Sequence, residues 1–306
     1  MEHIDGMALR KLSSKYDLSH PQIHNIVNSE LDSLIDNTKL THKYCNRYCG
    51  IFVVDGKYVK VRGYEKKIPL IYGIDYLTHD IPLAMLAVSE NYQAYARFFR
   101  LLNILNYPLR AVISDDVDCL KYAVKQIYPK AILQACWTHY LENIRRALNI
   151  RTEDKYQEFF AALCRYVFNK HDKRNTTKGL MSRLDKTLTY CRPSDNLTKV
   201  IILDILKKQR ELFAFQYIKN CPNTTNLIES YNSHLQGRLK TIKGFQSFSS
   251  AQRWLNGYIV RRRTKSFTDC CQRFKHLNGK TSLEKTLKRN LKLSNISLKK
   301  APKTER

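Results

Sequence analysis

The chain has 306 residues, and its hydrophobic share of 43% is sufficient for a buried core in one large or two ordinary domains. Its 53 Lys and Arg residues outnumber 27 Asp and Glu residues, and the formal charge of +26 predicts a polyanionic partner. The longest uncharged apolar run, at 81–89, is far shorter than the roughly 20 residues of a membrane-spanning helix. The N-terminus has no signal-peptide core, so these features argue against integral membrane and secreted proteins. Nine cysteines without a dense, even framework favour a reducing, intracellular compartment.

Residues 1–45 have the pattern of a helix-turn-helix segment. Apolar residues with helical spacing are interrupted by a short turn, and Pro21 is placed in the first turn of the second helix. In such a module the second helix enters the major groove of DNA, so the candidate DNA contacts are Gln22, His24 and Asn25. Two ordinary packed helices would give the same pattern. A complete three-helix unit would need another helix before Met7, so we expect the module to be incomplete.

From Ile51 onward, the hydrophobic pattern is typical of an α/β fold with a mixed sheet. It predicts strands at 51–61, 68–75, 81–89, 111–114 and 131–135, and helices at 92–105 and 117–127. An RNase H-like core has this element order: three strands joined by short turns, followed by a helix, a strand, a helix and a strand. We expect this core to occupy 46–139 and to resume at 223–265.

The segment at 140–222 has no strand signal, and its apolar stripes predict an all-helical block within the core. A basic C-terminal tail at 266–306 follows the core. The excess charge is concentrated from Tyr231 onward, where 19 Lys or Arg residues accompany three acidic residues. The segment from Lys280 could be a helix end or a flexible arm that follows phosphates.

Three acidic residues occupy positions from which they could share metal ions. Asp55 lies inside the first predicted strand, Asp115 ends the fourth, and Glu229 lies on a late helix. Hard cations such as Mg²⁺ prefer carboxylate oxygens, and two-metal phosphoryl transfer needs them from different elements. A single Asp after an apolar run is usually a strand end or a helix cap. The hypothesis therefore depends on the residues that flank all three acids.

Two flanking segments carry a family resemblance. The first is Ile113-Ser114-Asp115, followed by Gln134-Ala135-Cys136-Trp137-Thr138-His139 and Asn143; the second is Thr224-Thr225-Asn226-Leu227-Ile228-Glu229-Ser230-Tyr231-Asn232, followed by Arg238, Lys240 and Lys243. They resemble the Mutator-type insertion-sequence transposases, and the Gln-x-Cys-x-x-His-x-x-x-Asn signature is the most specific part. The resemblance covers residues 51–260, most of the chain.

This resemblance implies an RNase H-like catalytic core with a helical insertion between the second Asp and the Glu. The catalytic, metal-binding triad would be Asp55, Asp115 and Glu229, while Cys136 and His139 would support the start of the insertion. The family often has Gly directly after the second Asp. This chain has Asp116 there and Asp118 two residues later, which are alternative metal ligands.

The activity implied is that of a DDE transposase, which cleaves DNA strands and transfers them at the ends of an insertion sequence with two Mg²⁺ or Mn²⁺ ions. Arg238, Lys240 and Lys243 would bind phosphates, unless they form only a solvated helix face. The implied partners are double-stranded DNA, as terminal repeats and target, and further copies of the chain, with no membrane. The expected location is the cytoplasm, at the nucleoid, as for a prokaryotic mobile element.

The sequence leaves other functions open. Cys136 and His139 could bind zinc with Cys45 and Cys49, although 86 residues separate the pairs. A tyrosine recombinase could use His171 and Arg174, but the strand-rich first half fits that class poorly. A Cys/His hydrolase would need better attack geometry than two residues on one helix provide. The main alternative is a transposase-derived or truncated DNA-binding protein without catalysis.

Overall fold

The computed structural model describes residues 1–169, 176–190 and 195–300, and it shows a mixed α/β protein. The strands among these residues are β1 (Ile51–Val59), β2 (Ile68–Asp75), β3 (Leu83–Leu86), β4 (Ala111–Ser114) and β5 (Ile132–Ala135).

The α-helices of the same residues are α1 (Leu9–Tyr16), α2 (His20–Ser33), α3 (Asn37–Tyr44), α4 (Tyr92–Ile104), α5 (Asp118–Ile127), α6 (Trp137–Ala147), α7 (Gln157–Ala162), α8 (Leu180–Leu188), α9 (Asn196–Leu212), α10 (Asn226–Leu239), α11 (Phe248–Thr264) and α12 (Ser282–Thr286). Among them, no helix is both long and apolar enough to cross a bilayer.

The elements predicted between residues 51 and 135 are confirmed in type and order. β2 and β4 have the predicted bounds. β3 is shorter than predicted and begins directly after Pro82, because proline has no N–H to donate to a strand ladder. The described part of 140–222 is helical and contains no strand, as predicted. His171 and Arg174, the pair that a tyrosine recombinase would use, lie outside the described residues.

The chain divides into two compact units. The first unit comprises 1–109, 119–129 and the chain from Asn226 onward; the second comprises 110–118 and 130–225.

The first unit contains an antiparallel meander of β1, β2 and β3. Every residue of β2 is buried, and so are the first four residues of β1. Gly73 of β2 faces the ring of Phe52 so closely that any Cβ at this position would collide with the ring. Phe52 also stacks on Phe98 of α4, with ring centroids 6.2 Å apart, so α4 packs on this part of the sheet.

The N-terminal helices of this unit confirm the predicted helix, turn and helix. Asp17 ends α1 in the left-handed conformation, with φ of 52°. The side chains of Ser19 and Gln22 form a reciprocal capping box at the start of α2, and Pro21 occupies its first turn. The sequence did not predict α3, whose Thr41 hydroxyl donates to the Pro82 carbonyl at 2.7 Å.

The described part of the C-terminal segment contains the short helix α12 and packs within the first unit, so through residue 300 it is not a flexible arm. Its backbone returns to the N-terminal helices: the Lys288 N–H donates to the Tyr44 carbonyl at 2.9 Å, and the Lys300 N–H donates to the Ser33 carbonyl at 2.7 Å. Leu283 and Leu287 are buried in one cluster with residues of α3. The buried leucines and these backbone hydrogen bonds together hold the segment against the rest of the first unit through residue 300.

A buried ion pair joins several segments of the first unit. Arg263 of α11 binds both carboxylate oxygens of Asp80, with N–O distances of 2.8 and 2.7 Å, and neither side chain is exposed. The guanidinium also donates to Asn37 and Thr41 of α3. Asp80 additionally accepts from the hydroxyl of Thr286 in α12. One charged pair thereby connects α3, α11 and α12.

The second unit combines the parallel pair of β4 and β5 with the helical block. Its core includes Trp137, whose ring makes edge contacts with Phe168, Phe213 and Phe215 at centroid distances of 5.2 to 5.5 Å. Apolar residues from α6 to α9 complete this core. The unit therefore has a hydrophobic centre of its own.

Candidate active site

Asp55 is held by two N–H donors within the first unit. It lies midway along β1, where burial changes from complete to partial, and it pairs across the ladder with Tyr72 of β2. One carboxylate oxygen accepts from the Gly56 backbone N–H at 2.7 Å, and the other accepts from the Asn232 side-chain amide at 2.6 Å. Asp55 is thus fixed at the edge between core and solvent.

Glu229 lies in the first turn of α10, also in the first unit. The buried side of this helix consists of Ile228, Tyr231 and Leu235. The Tyr231 hydroxyl donates to the His79 carbonyl at 3.0 Å and anchors the helix. Asn232, the residue that bonds Asp55, follows Glu229 by three positions, so the two share a face of α10. The structure therefore brings Asp55 to the helix that carries Glu229.

Glu90 lies between Ser89 and Asn91, just before the start of α4. Its carboxylate accepts from the hydroxyls of Tyr58 and Tyr95. A Cβ added to Gly56 would lie 3.4 Å from the Glu90 carboxylate, so this acid lies next to the backbone of β1 beside Asp55. Burial, followed by the bond to Glu90, raises the pKa of Tyr58 to about 12.

Asp115 belongs to the second unit and forms an ion pair with His139. It directly follows the fully buried β4, and one of its carboxylate oxygens lies 2.7 Å from His139 Nδ1. His139 is on the first turn of α6, and Cys136 is the N-cap residue of that helix. The Cys136 N–H donates to the Ser114 carbonyl at 2.9 Å, which joins the start of α6 to the end of β4.

Thr225 completes this cluster of side chains. Its hydroxyl oxygen lies 3.1 Å from Cys136 Sγ and 3.3 Å from His139 Nδ1. The potential ligand atoms of Asp115, Cys136 and His139 are all within 4.8 Å of one another, and no other group of this kind exists in the described ranges. Cys136 and His139, the residues expected to support the start of the insertion, therefore lie beside Asp115.

The electrostatics of the cluster favour a charged imidazole. Hydrogen bonds to Asp115 and then to Cys136 raise the pKa of His139 to about 10. Burial by itself raises the pKa of Cys136, but hydrogen bonds with His139 and Thr225 outweigh burial, so the net pKa is lowered. With a charged imidazole, the ion pair with His139 Nδ1 orients the Asp115 carboxylate.

The acids that follow Asp115 have other surroundings. Asp116 accepts from Lys208 of α9 at 2.7 Å, and Lys208 is also 3.3 Å from Asp204. Asp118 is exposed at the first position of α5. Asp116 thus has a cation of the helical block as its partner, which no local sequence signal indicates.

Gln134 of the Gln-x-Cys-x-x-His signature and its neighbour Trp137 have structural roles. The buried Gln134 amide donates to the Leu212 carbonyl at 2.9 Å and accepts from the Phe215 N–H at 2.7 Å. Trp137 donates its indole N–H to the same Leu212 carbonyl at 2.6 Å and is only 1% exposed. Its burial leaves no ring face for stacking on a base.

The cysteines of the zinc hypothesis lie in different surroundings. Cys45 is buried, and its sulfur accepts from Arg263 at 3.3 Å. Burial is the main cause that raises the pKa of Cys49 to about 12, which disfavours the thiolate that zinc requires. Neither residue belongs to a group of potential ligands in the part of the chain that the structure describes.

The candidate DNA contacts are at the surface. On α2, Gln22, His24 and Asn25 are exposed, although the Gln22 side chain also caps the helix. Near the end of α10, Lys240 and Lys243 are exposed, whereas Arg238 is partly covered. A Cβ at Gly6 would meet Arg238, which shows that this arginine packs on the N-terminal turn.

Comparison with known proteins agrees with the resemblance seen in the sequence. The family model described as "Transposase, Mutator family" matches residues 7–268. Comparison with the curated proteins gives no match. A solved structure described as a simian T-cell lymphotropic virus intasome in complex with PP2A regulatory subunit B56 gamma is 12% identical over 71% of this chain and 73% of that chain, with a TM-score of 0.25. That TM-score does not establish a shared fold. The family match spans most of the chain and includes Asp55, Asp115 and Glu229, and the chain therefore belongs to the Mutator family of transposases.

Proposed function

We propose that this protein is a DDE transposase that cleaves DNA strands and transfers them at the ends of an insertion sequence. The observation that carries the proposal is the family match over residues 7–268, which includes all three acids expected from the sequence. Family membership already implies DNA as the partner. The proposal adds the chemistry, the residues and the metal.

In this proposal Asp55, Asp115 and Glu229 hold two Mg²⁺ or Mn²⁺ ions. All three supply carboxylate oxygens, the ligands that these hard cations prefer. An oxygen of an ionised carboxylate has two lone pairs, so it can accept an N–H and bind a cation together. The hydrogen bonds at Asp55 and the ion pair at Asp115 are therefore compatible with metal binding. When bound, such ions activate the attacking oxygen and stabilise the leaving oxygen of a phosphodiester.

The residues around the acids fix their orientation. His139 holds one oxygen of Asp115 at 2.7 Å, while Cys136 and Thr225 hold the imidazole. Asp115 directly follows β4 and contacts His139 of the family signature, whereas Asp116 pairs with Lys208 of the helical block, so Asp115 is the better candidate for the second catalytic acid. Exposed Lys240 and Lys243 would bind DNA phosphates, together with the partly covered Arg238.

The remaining parts of the proposal concern architecture and assembly. The order of strands and helices and the helical block support an RNase H-like core with an insertion between Asp115 and Glu229. The exposed residues Gln22, His24 and Asn25 support recognition of the terminal repeats by α2. Since an insertion sequence has two ends, we expect at least a dimer on the DNA.

The test is strand cleavage and joining on duplex DNA that carries the element's own ends, with Mg²⁺ or Mn²⁺. The wild type is compared with Glu229→Gln and with the matched control Glu158→Gln, an exposed position on α7. We expect Glu229→Gln to bind the ends but not cut them, and Glu158→Gln to cut like the wild type. Cleavage by Glu229→Gln at the wild-type rate would contradict the proposed triad.

The same assay examines the second function left open by the sequence, a DNA-binding protein without catalysis. That function predicts that the wild type binds the ends and cuts none of them under any divalent cation. Intact acids at positions 55, 115 and 229 favour the enzyme.

A further inference from the structure

A chain of three side chains connects the sheet of the first unit to α10. Tyr72 of β2 donates its hydroxyl to the carbonyl oxygen of the Asn232 side chain at 2.8 Å. The amide nitrogen of Asn232 then donates to Asp55 on β1 at 2.6 Å. Tyr72 and Asp55 are direct partners across the antiparallel ladder. Asn232 therefore bridges two adjacent strand residues from the helix above them.

The chemistry of the partners determines which way the Asn232 amide faces. An ionised carboxylate only accepts hydrogen bonds, so the amide NH₂ must face Asp55 and the amide oxygen must face Tyr72. Tyr72 is 2% exposed, and burial raises the pKa of its hydroxyl well above the usual value. The hydroxyl therefore remains protonated and can donate to the amide oxygen.

The position of Asn232 on α10 links this contact to Glu229. The two residues are three apart and share a helix face. The helix is anchored by its buried residues Ile228, Tyr231 and Leu235, so Asn232 has little freedom to move away from Asp55. The bond between Asn232 and Asp55 consequently sets the orientation of Asp55 relative to α10, the helix that carries Glu229.

We propose that Asn232 is a positioning residue for metal binding: Tyr72 orients the Asn232 amide, and the amide holds the Asp55 carboxylate in place. This inference rests on the proposed function. Without the amide donor, the Asp55 carboxylate keeps the Gly56 N–H on one oxygen but loses the contact that fixes the other oxygen. Partners of this kind typically contribute about 10- to 100-fold to metal affinity. We expect a loss of this size in Asn232→Leu, which keeps a similar volume but has no donor.

Two readouts distinguish positioning from a merely structural role. The first is Mn²⁺ affinity, measured by electron paramagnetic resonance on the full chain without DNA. The second is the Mg²⁺ dependence of end cleavage. We expect Asn232→Leu to raise the half-saturating Mg²⁺ concentration while cleavage at saturating Mg²⁺ partly recovers. Asn232→Leu also leaves the buried Tyr72 hydroxyl without this acceptor, which lowers the stability of the variant, so both readouts are taken well below its Tm.

A second variant examines the role of Tyr72. Tyr72→Phe removes only a hydroxyl and keeps the buried ring, so we expect a smaller loss of Mn²⁺ affinity. If Tyr72 acts through Asn232, the double variant should bind Mn²⁺ no more weakly than Asn232→Leu alone. The matched control is Gln236→Leu, which removes an exposed amide one turn further along α10.

The outcomes separate this inference from the proposed function. A wild type that neither binds Mn²⁺ nor cuts DNA would overturn both. A wild type that binds and cuts, with Asn232→Leu indistinguishable from it, would overturn the positioning role alone. Tighter Mn²⁺ binding by Asn232→Leu would also overturn it, because the amide would then compete with the cation for Asp55.

Discussion

Breaking the buried ion pair between Arg263 and Asp80 should strongly destabilise the protein. Arg263→Met keeps an unbranched side chain but removes the guanidinium, which makes hydrogen bonds to Asp80, Asn37, Thr41 and Cys45. The Asp80 carboxylate, which is fully buried, would then lack its counter-ion. Removal of one partner from such a pair costs about 3–5 kcal/mol of the free energy of unfolding. For a unit of this size, that corresponds to a lowering of Tm by about 10 °C.

Thermal unfolding followed by far-UV circular dichroism measures this effect. The matched control is Arg253→Met on the same helix, because Arg253 pairs with Asp32 at 2.9 Å, where the two side chains are 28% and 57% exposed. An exposed pair contributes only about 0–1 kcal/mol, so the control should unfold near the wild type. If Arg263→Met unfolds at the temperature of this control, the reasoning about the buried charge is wrong.

A double variant separates the charge from the lost hydrogen bonds. Asp80→Leu combined with Arg263→Met removes both charges, so no uncompensated ion remains in the core. We expect its Tm to lie between those of Arg263→Met and the wild type. Recovery should be partial, because the buried amide oxygen of Asn37 loses the donor that Arg263 supplies.

Three further predictions concern the site and its DNA. Asp115→Asn should abolish end cleavage but retain binding in a gel-shift assay, whereas Asp116→Asn should still cut; the reverse pattern would assign the second ligand to Asp116. The pKa of His139 is raised to about 10 from 6.5, so the stability that its charge provides is complete below pH 6.5 and is lost as the pH rises toward 10. The Tm difference between wild type and His139→Gln should therefore shrink over that interval, and a difference independent of pH would contradict the ion pair. DNA affinity should fall steeply with salt, and Lys240→Ala and Lys243→Ala should each lower the slope of log K against log salt by about 0.9 if each lysine contacts one phosphate.

Much of the local structure could be predicted from the sequence because its causes are local. Alternating and helical apolar patterns predicted the strands and helices between residues 51 and 135, and the turn before Pro21 predicted α2. The position of Asp115 after an apolar strand also followed from the pattern. The family signature indicated Cys136 and His139 as supporting residues, and the structure places His139 in contact with Asp115 and Cys136 in contact with His139.

Other features depend on partners far apart in the chain, and no local pattern specifies them. Asn232 bonds Asp55 across 177 positions, and Lys208 bonds Asp116 across 92. For the basic C-terminal segment the sequence left a helix end and a flexible arm open, and the burial of Leu283 and Leu287 with residues of α3 decides against the arm.

The sequence by itself determined the family, the elements between residues 51 and 135 and the three candidate acids, because side-chain periodicity and short motifs are local properties. Only the tertiary structure decided which amide faces Asp55, which cation neutralises Asp116 and how Arg263 is buried. Tertiary packing determines these pairings, since a buried polar group needs a hydrogen-bond partner and the fold decides which groups come within hydrogen-bonding distance.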